Sequence, residues 1–311
     1  MLSGLVILFF VLEFLLSLFL YHLYFLRWSE NCRLNDFGED SAPIYRGISR
    51  TVWLFFRELL AYNVMIFFHF FFPVYKVTLK MSYTRNKSCI DNVGSSLNGY
   101  SLPILFIHGW GASSSNFLYL ASSLMKKGFI HQEFFNYASF RQDIETSARQ
   151  LSEAVNEVLN KYNCQQLILI CHSMGGLVAR YYIQALAADQ KIGPIITLGS
   201  PHSGTRLGYI GFGDAARQMS PSSKFILGLK DIEEKSFKQA FYSLWSPIDA
   251  AIIPAFHAQF GKNQYSLCFG HVEMLIRKET VAVIMSILTS GLRSEESRIY
   301  KPPPSTTPTE V

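Results

Sequence analysis

Charge is what this sequence has least of. Only 16% of its 311 residues are Asp, Glu, Lys or Arg, against 49% hydrophobic ones, a balance that excludes a disordered chain and is high for an ordinary soluble domain. The formal net charge is only +5. Its Lys and Arg are scattered rather than striped, so the basic face of a nucleic-acid binder is missing. Cysteines are few and unpaired in pattern: Cys32, Cys89, Cys164, Cys171 and Cys268 include no C-x-x-C. Neither a zinc site nor a disulfide framework is indicated, and a reducing compartment, or indifference to redox, fits. Nothing in the chain calls for a metal or an organic cofactor.

Aromatic residues are abundant but uneven, with thirteen of the 26 Phe in the first 75 residues. Leu2 to Leu26 forms an apolar run broken only by Glu13 and His22, long enough to cross ~30 Å of hydrocarbon as a helix. No Lys or Arg precedes it and no A-x-A-like site comes after it, so a membrane anchor over residues 1–27 is expected rather than a cleaved signal. Residues 28–99 read as a linker with a second aromatic segment at 51–75, which holds Arg57 and Glu58. That segment is read as interfacial, as packed on the catalytic domain, or as a second span. Arg27, Arg33, Arg46, Arg50 and Arg57 come soon after the first run, which sets the rest of the chain on the cytoplasmic side if only one segment spans.

From residue 100 the pattern changes. PILFIHGW at 103–110 is a short buried strand closed by a Gly turn, and 113–127 reads as a helix. The segment 143–162 has helical spacing with acidic residues at its start, and LILI at 167–170 is a second buried strand. Alternation of strand and helix predicts an α/β fold with a mostly parallel sheet and helices on both faces.

Directly after LILI comes Cys171-His172-Ser173-Met174-Gly175-Gly176, opening a strong helix pattern. A serine between a buried strand and a helix, flanked by small residues, fits the G-x-S-x-G nucleophile elbow with Cys171 in place of the first Gly. IITL at 195–198 is a further strand. Among the three His after Ser173, His202 lies in the loop after that strand and His257 comes after a Pro-containing turn. His271 stands in a loop between an apolar strand at 265–270 and a helix starting near Glu273, where α/β folds collect catalytic residues.

HGW at 108–110, CHSMGG at 171–176, TLGSPHSGT at 197–205 and GHVEML at 270–275 together resemble the α/β-hydrolase superfamily, in particular the small bacterial-type lipases and esterases. The resemblance covers roughly residues 100–291 and leaves out the amino-terminal quarter. It implies a catalytic triad in the order Ser173, Asp249, His271. Asp249 ends the strand-like run AFYSLWSPID and sits in a pattern similar to the family's S-x-x-D-x-x-V-P. The oxyanion hole would use the backbone N–H groups of Trp110 and Met174, with His108, Gly109, Cys171, His172 and Gly175 shaping the turns. Residues 206–238 would form a short lid offering Phe225, Ile226 and Leu229 to an acyl chain, and 292–311, rich in Pro, Ser and Thr, a disordered tail. The expected activity is hydrolysis of carboxylic esters, of lipids above all, at a membrane. Acyl transfer or thioester cleavage on the same triad, and a non-catalytic membrane-tethered scaffold, are the other readings.

Overall fold

A computed structural model of the protein describes residues 52, 53, 55–64, 102–186, 191–231 and 240–299, together with Val11, Phe14 and Leu18. The expected anchor at 1–27 and the linker after it lie, those three residues apart, outside the described residues. No helix among the described residues is long and apolar enough to cross a membrane.

Six strands form one sheet, β1 (Ile104–Ile107), β2 (Gln132–Phe135), β3 (Leu167–His172), β4 (Ile192–Leu198), β5 (Phe241–Trp245) and β6 (Asn263–Ser266). Their order is β2-β1-β3-β4-β5-β6 and every pairing is parallel. β1 and β3 are buried along their whole length, as strands covered on both faces must be. The period of two runs through β1 and β3 and through β4 from Ile195; Ile192 falls on the same side as Ile195, beside the register shift between Leu167 and Leu169. Leu105, Ile107, Leu167, Leu169, Cys171 and Ile195 join one core cluster, and Ile104, Phe106, Ile168, Ile170, Ile196 and Leu198 the other.

Helices cover both faces. The first cluster packs under α3 (Ile144–Tyr162) and α4 (Met174–Ala185); the second packs under α2 (Leu118–Met125) and α7 (Lys278–Ile299). Asp143 caps α3, its Oδ1 accepting from the Thr146 N–H at 2.6 Å, and Asn163 ends the helix in the left-handed region at φ 47°. α7 continues past residue 291 to Ile299, into the stretch expected to be disordered; Glu295, Glu296 and Arg298 favour a helix and proline begins only at Pro302.

Part of the amino-terminal quarter belongs to this domain. Residues 55–64 form helix α1, with Val52 and Trp53 helical before it. Ala61 is buried among Phe117, Leu275 and other residues of the second cluster, and Tyr62 packs against it. Of the segment 51–75, the described residues 55–64 pack on the domain with Glu58 turned to it, 6% exposed, and 65–75 lies outside the described residues. Trp53, Phe56 and Leu60 face outward.

The expected lid is also different in detail. α5 (Gly213–Gln218) and α6 (Lys224–Asp231) lie in it, but Phe225, Ile226 and Leu229 are buried in the first core cluster instead of being offered to a substrate. They share one face of α6, and that face is closed by Tyr181, whose ring stacks on Phe225 at 5.7 Å. The buried Arg180 fastens α6 from below, donating to the carbonyls of Leu229 (2.6 Å) and His202 (2.9 Å). The exposed apolar residues of this region are Tyr209, Ile210, Phe212 and Leu227, with Phe212 at 83%.

Candidate active site

The carboxyl ends of the parallel strands converge on one edge of the sheet. His108 and Gly109 come directly after β1, Ser173 after β3 and Gly199 after β4, and Asp249 and His271 lie in the loops after β5 and β6. The expected strand at 265–270 is shifted, since β6 ends at Ser266. That leaves a longer loop in front of His271.

Ser173 has φ 55° and ψ −127°, a conformation that costs a residue with a Cβ of order 1–3 kcal/mol. It turns the chain sharply from strand into α4, the backbone course that a G-x-S-x-G elbow requires. Gly175 and Gly176 permit this. A Cβ on Gly175 would fall 2.4 Å from the Ile107 carbonyl oxygen, and one on Gly176 would fall 2.2 Å from Ser200 Oγ. Cys171, in place of the usual first glycine, is buried in β3 and paired in register with Ile107 and Thr197. Its thiol is pushed far up by burial, so it is a small core residue.

Asp249 is fully buried. Its Oδ1 accepts from the N–H groups of Ala251 (2.8 Å) and Ile252 (3.1 Å), which leaves Oδ2 to accept from His271 Nδ1 at 2.7 Å. With Nδ1 donating, Nε2 of His271 is the free basic nitrogen. Burial is the largest influence on His271 and pushes its pKa down, but the charge and hydrogen bond of Asp249, helped by Glu58, outweigh it. The net shift is upward.

Ser173 shares this neighbourhood. Its N–H donates to the Leu198 carbonyl at 2.9 Å, and the residue after Leu198, Gly199, lies against the acid–base pair. A Cβ on Gly199 would stand 2.8 Å from Asp249 Oδ2 and 3.1 Å from His271 Nδ1. His172, immediately before Ser173, donates from Nε2 to the His271 carbonyl at 3.0 Å. Burial holds its pKa well below the ordinary histidine range, so it does so as a neutral ring. His202 is buried too, with Nε2 on Thr197 Oγ1 at 3.1 Å. Burial and then the Arg180 charge depress its pKa, which suits a structural part in the loop after β4. His257 is tied by Nδ1 to the Gly204 carbonyl.

The turn after β1 supplies the opposite wall. A Cβ on Gly109 would come within 2.7 Å of Ser173 Cβ and 3.3 Å of its Oγ, so only glycine lets the turn approach the serine. His108 fixes the turn. Its Nε2 accepts from the Tyr137 N–H at 3.4 Å, its Nδ1 donates to the Gly109 carbonyl at 2.9 Å, and Tyr137 stacks on its ring. Trp110 packs edge-on against Phe140 at 4.6 Å, and Met174 opens α4. The exposed Phe140 also sets its carbonyl against Gly213, the residue after the exposed Phe212. No cluster of His, Cys, Asp and Glu able to hold a metal ion occurs among the described residues.

Two residues at the site are not marked by the sequence pattern. Gly199 is visible within TLGSPHSGT but its contact with the acid–base pair is not. Glu58 gives a single signal, a charge pair inside an apolar stretch.

Residues 98–209 match a family model described as a PGAP1-like alpha/beta domain. The mature form of lipase BlEst2 from Bacillus licheniformis is similar over 61% of this chain and 92% of its own, at 19% identity and a TM-score of 0.52. Aspergillus fumigatus lipase B is similar over 63% of this chain at 13% identity and a TM-score of 0.53. This chain spans about half the length of that lipase (55%) and of the propeptide form of the Bacillus enzyme (50%). At these identities the likeness is one of fold.

Proposed function

The chain has the α/β-hydrolase fold, and on that premise we propose that it is a membrane-associated serine hydrolase that cleaves carboxylic esters of lipids. The observation that carries the reading is the strained Ser173 turn at the sheet edge where Asp249 and His271 are already paired. Ser173 Oγ attacks the acyl carbonyl as His271 Nε2 takes its proton, and Asp249 steadies the imidazolium that forms. The N–H groups of Met174 and Trp110 stabilise the oxyanion. Collapse of the tetrahedral species breaks the ester C–O bond, and His271 returns the proton to the departing alcohol. Water then attacks the acyl-enzyme with His271 as base, which frees the acid and restores Ser173.

A lipid substrate is supported by the exposed Phe140, which packs on Trp110, by the exposed Tyr209, Ile210 and Phe212, and by the outward Trp53, Phe56 and Leu60 of α1. Large apolar side chains left on the surface suit contact with a membrane or an apolar ligand. Together with the apolar run at 2–26, these faces favour a catalytic edge held against the bilayer. The decisive experiment is Ser173→Ala in the full chain. Fluorophosphonate labelling and turnover of acyl esters should both vanish, leaving at most the slow rate due to the oxyanion hole. Wild-type-like turnover in this variant would remove Ser173 from the mechanism.

A further inference from the structure

The loop that carries the catalytic base is gripped by a residue from outside the hydrolase motifs. Glu58 Oε1 accepts from the Val272 N–H at 2.9 Å and Oε2 from the Glu273 N–H at 3.2 Å. These are the two amides directly after His271. On the other side, the His271 carbonyl is held by His172. Gly270 completes the fit, since a Cβ there would overlap the Glu58 carboxylate. The neighbouring residue of α1 adds a second hold. Arg57 Nε donates to Glu273 Oε1 at 2.7 Å, the same carboxylate pairs with Arg277, and Glu273 Oε2 accepts from the Gly270 N–H at 3.1 Å. The Arg57 guanidinium itself lies 4.4 Å from the Trp53 ring.

We infer that Glu58 is a positioning residue for the catalytic base, so that α1, which the sequence assigns to a membrane-proximal segment, completes the active site by fixing where the His271 imidazole stands. The inference rests on the reading of Ser173, Asp249 and His271 as a triad. A neutral hydroxyl or amide would satisfy the N–H groups at the start of a short helix at less cost than a buried carboxylate. The cost is visible: burial raises the Glu58 pKa to about 7. What a carboxylate adds is charge beside an imidazole that becomes positive during each turnover. The groups facing Glu58 are His271 and Asp249 on the site side, Tyr62 from its own helix, and Glu273 with its partners Arg57 and Arg277.

The direction of the effect is fixed by the charges. Glu58 and Asp249 both raise the His271 pKa, and the base works only when deprotonated, so loss of the Glu58 charge moves the acid limb of kcat toward lower pH. The test uses the full chain in mild detergent with ring-labelled histidine. Glu58→Gln should lower the His271 NMR titration midpoint by about half a unit or more. It should also reduce kcat on a water-soluble short-chain ester about 10- to 100-fold with KM little changed. Glu58→Asp keeps the charge but shortens the reach, so it should keep the midpoint and still lose kcat. If the Gln variant does not fold, the Asp variant decides. A folded Gln variant with wild-type midpoint and kcat, or an Asp variant with wild-type kcat, overturns the inference. If wild-type protein cleaves no ester, the hydrolase reading fails, while the midpoint shift still judges Glu58 by itself.

Discussion

One methyl group at Gly199 would part Asp249 from His271, because a Cβ there overlaps both side chains. The backbone at this residue also has φ +54°, which costs an alanine roughly 1–2 kcal/mol. Gly199→Ala should therefore cut kcat about 100-fold while shifting the unfolding midpoint only modestly. Steady-state kinetics beside thermal unfolding will check this, and kcat near wild type would mean that the pair tolerates separation. At this scale legibility depends on sequence distance. Ser173, Met174 and Gly175 stand within a few residues of one another and carry a local strand-turn-helix signal. His271 is reached through its place after an apolar run, and Asp249 through the motif resemblance beside a strand-like run. Glu58 is not, because no motif links a glutamate in an aromatic stretch to a histidine loop more than two hundred residues away.

Elements are legible where periodicity is strong. β1 and β3 are continuous apolar runs and α3 has a capped amphipathic pattern, so these stand where the sequence puts them. β2, QEFF, is a short edge strand whose side chains are mostly half-buried, and it offers no apolar run to read. β6 is largely exposed, which explains its displaced boundary. For α6 the apolar face is legible and its direction is not, since periodicity says which residues share a face but not what covers it. Phe225 turns inward onto Tyr181, so Phe225→Ala should destabilise the protein by about 3 kcal/mol and leave acyl chain-length preference unchanged. Urea unfolding and a panel of esters of increasing chain length separate the two effects. A changed preference at unaltered stability would return α6 to the role of a lid.

The whole molecule differs most from the sequence-based expectation at the domain boundary. A unit beginning near residue 100 would hold Ser173, Asp249, His271 and every strand among the described residues. It would nevertheless lose Glu58 and Arg57 from the His271 loop and uncover the apolar surface under Ala61. Such a truncated chain should aggregate and should turn over even water-soluble esters at least 10-fold more slowly than the full protein, whereas a chain beginning at residue 50 should recover both solubility in mild detergent and turnover. Size-exclusion chromatography with an ester assay compares them, and a monodisperse, fully active chain from residue 100 would make α1 dispensable. The same contact also sets a clock. Glu58 and Val272 are 214 positions apart, and a ribosome adds ~5–20 residues each second. Roughly 10 to 40 s therefore separate the synthesis of the clamp from that of the loop it grips. Throughout that interval the first-made helix waits without the loop it will hold.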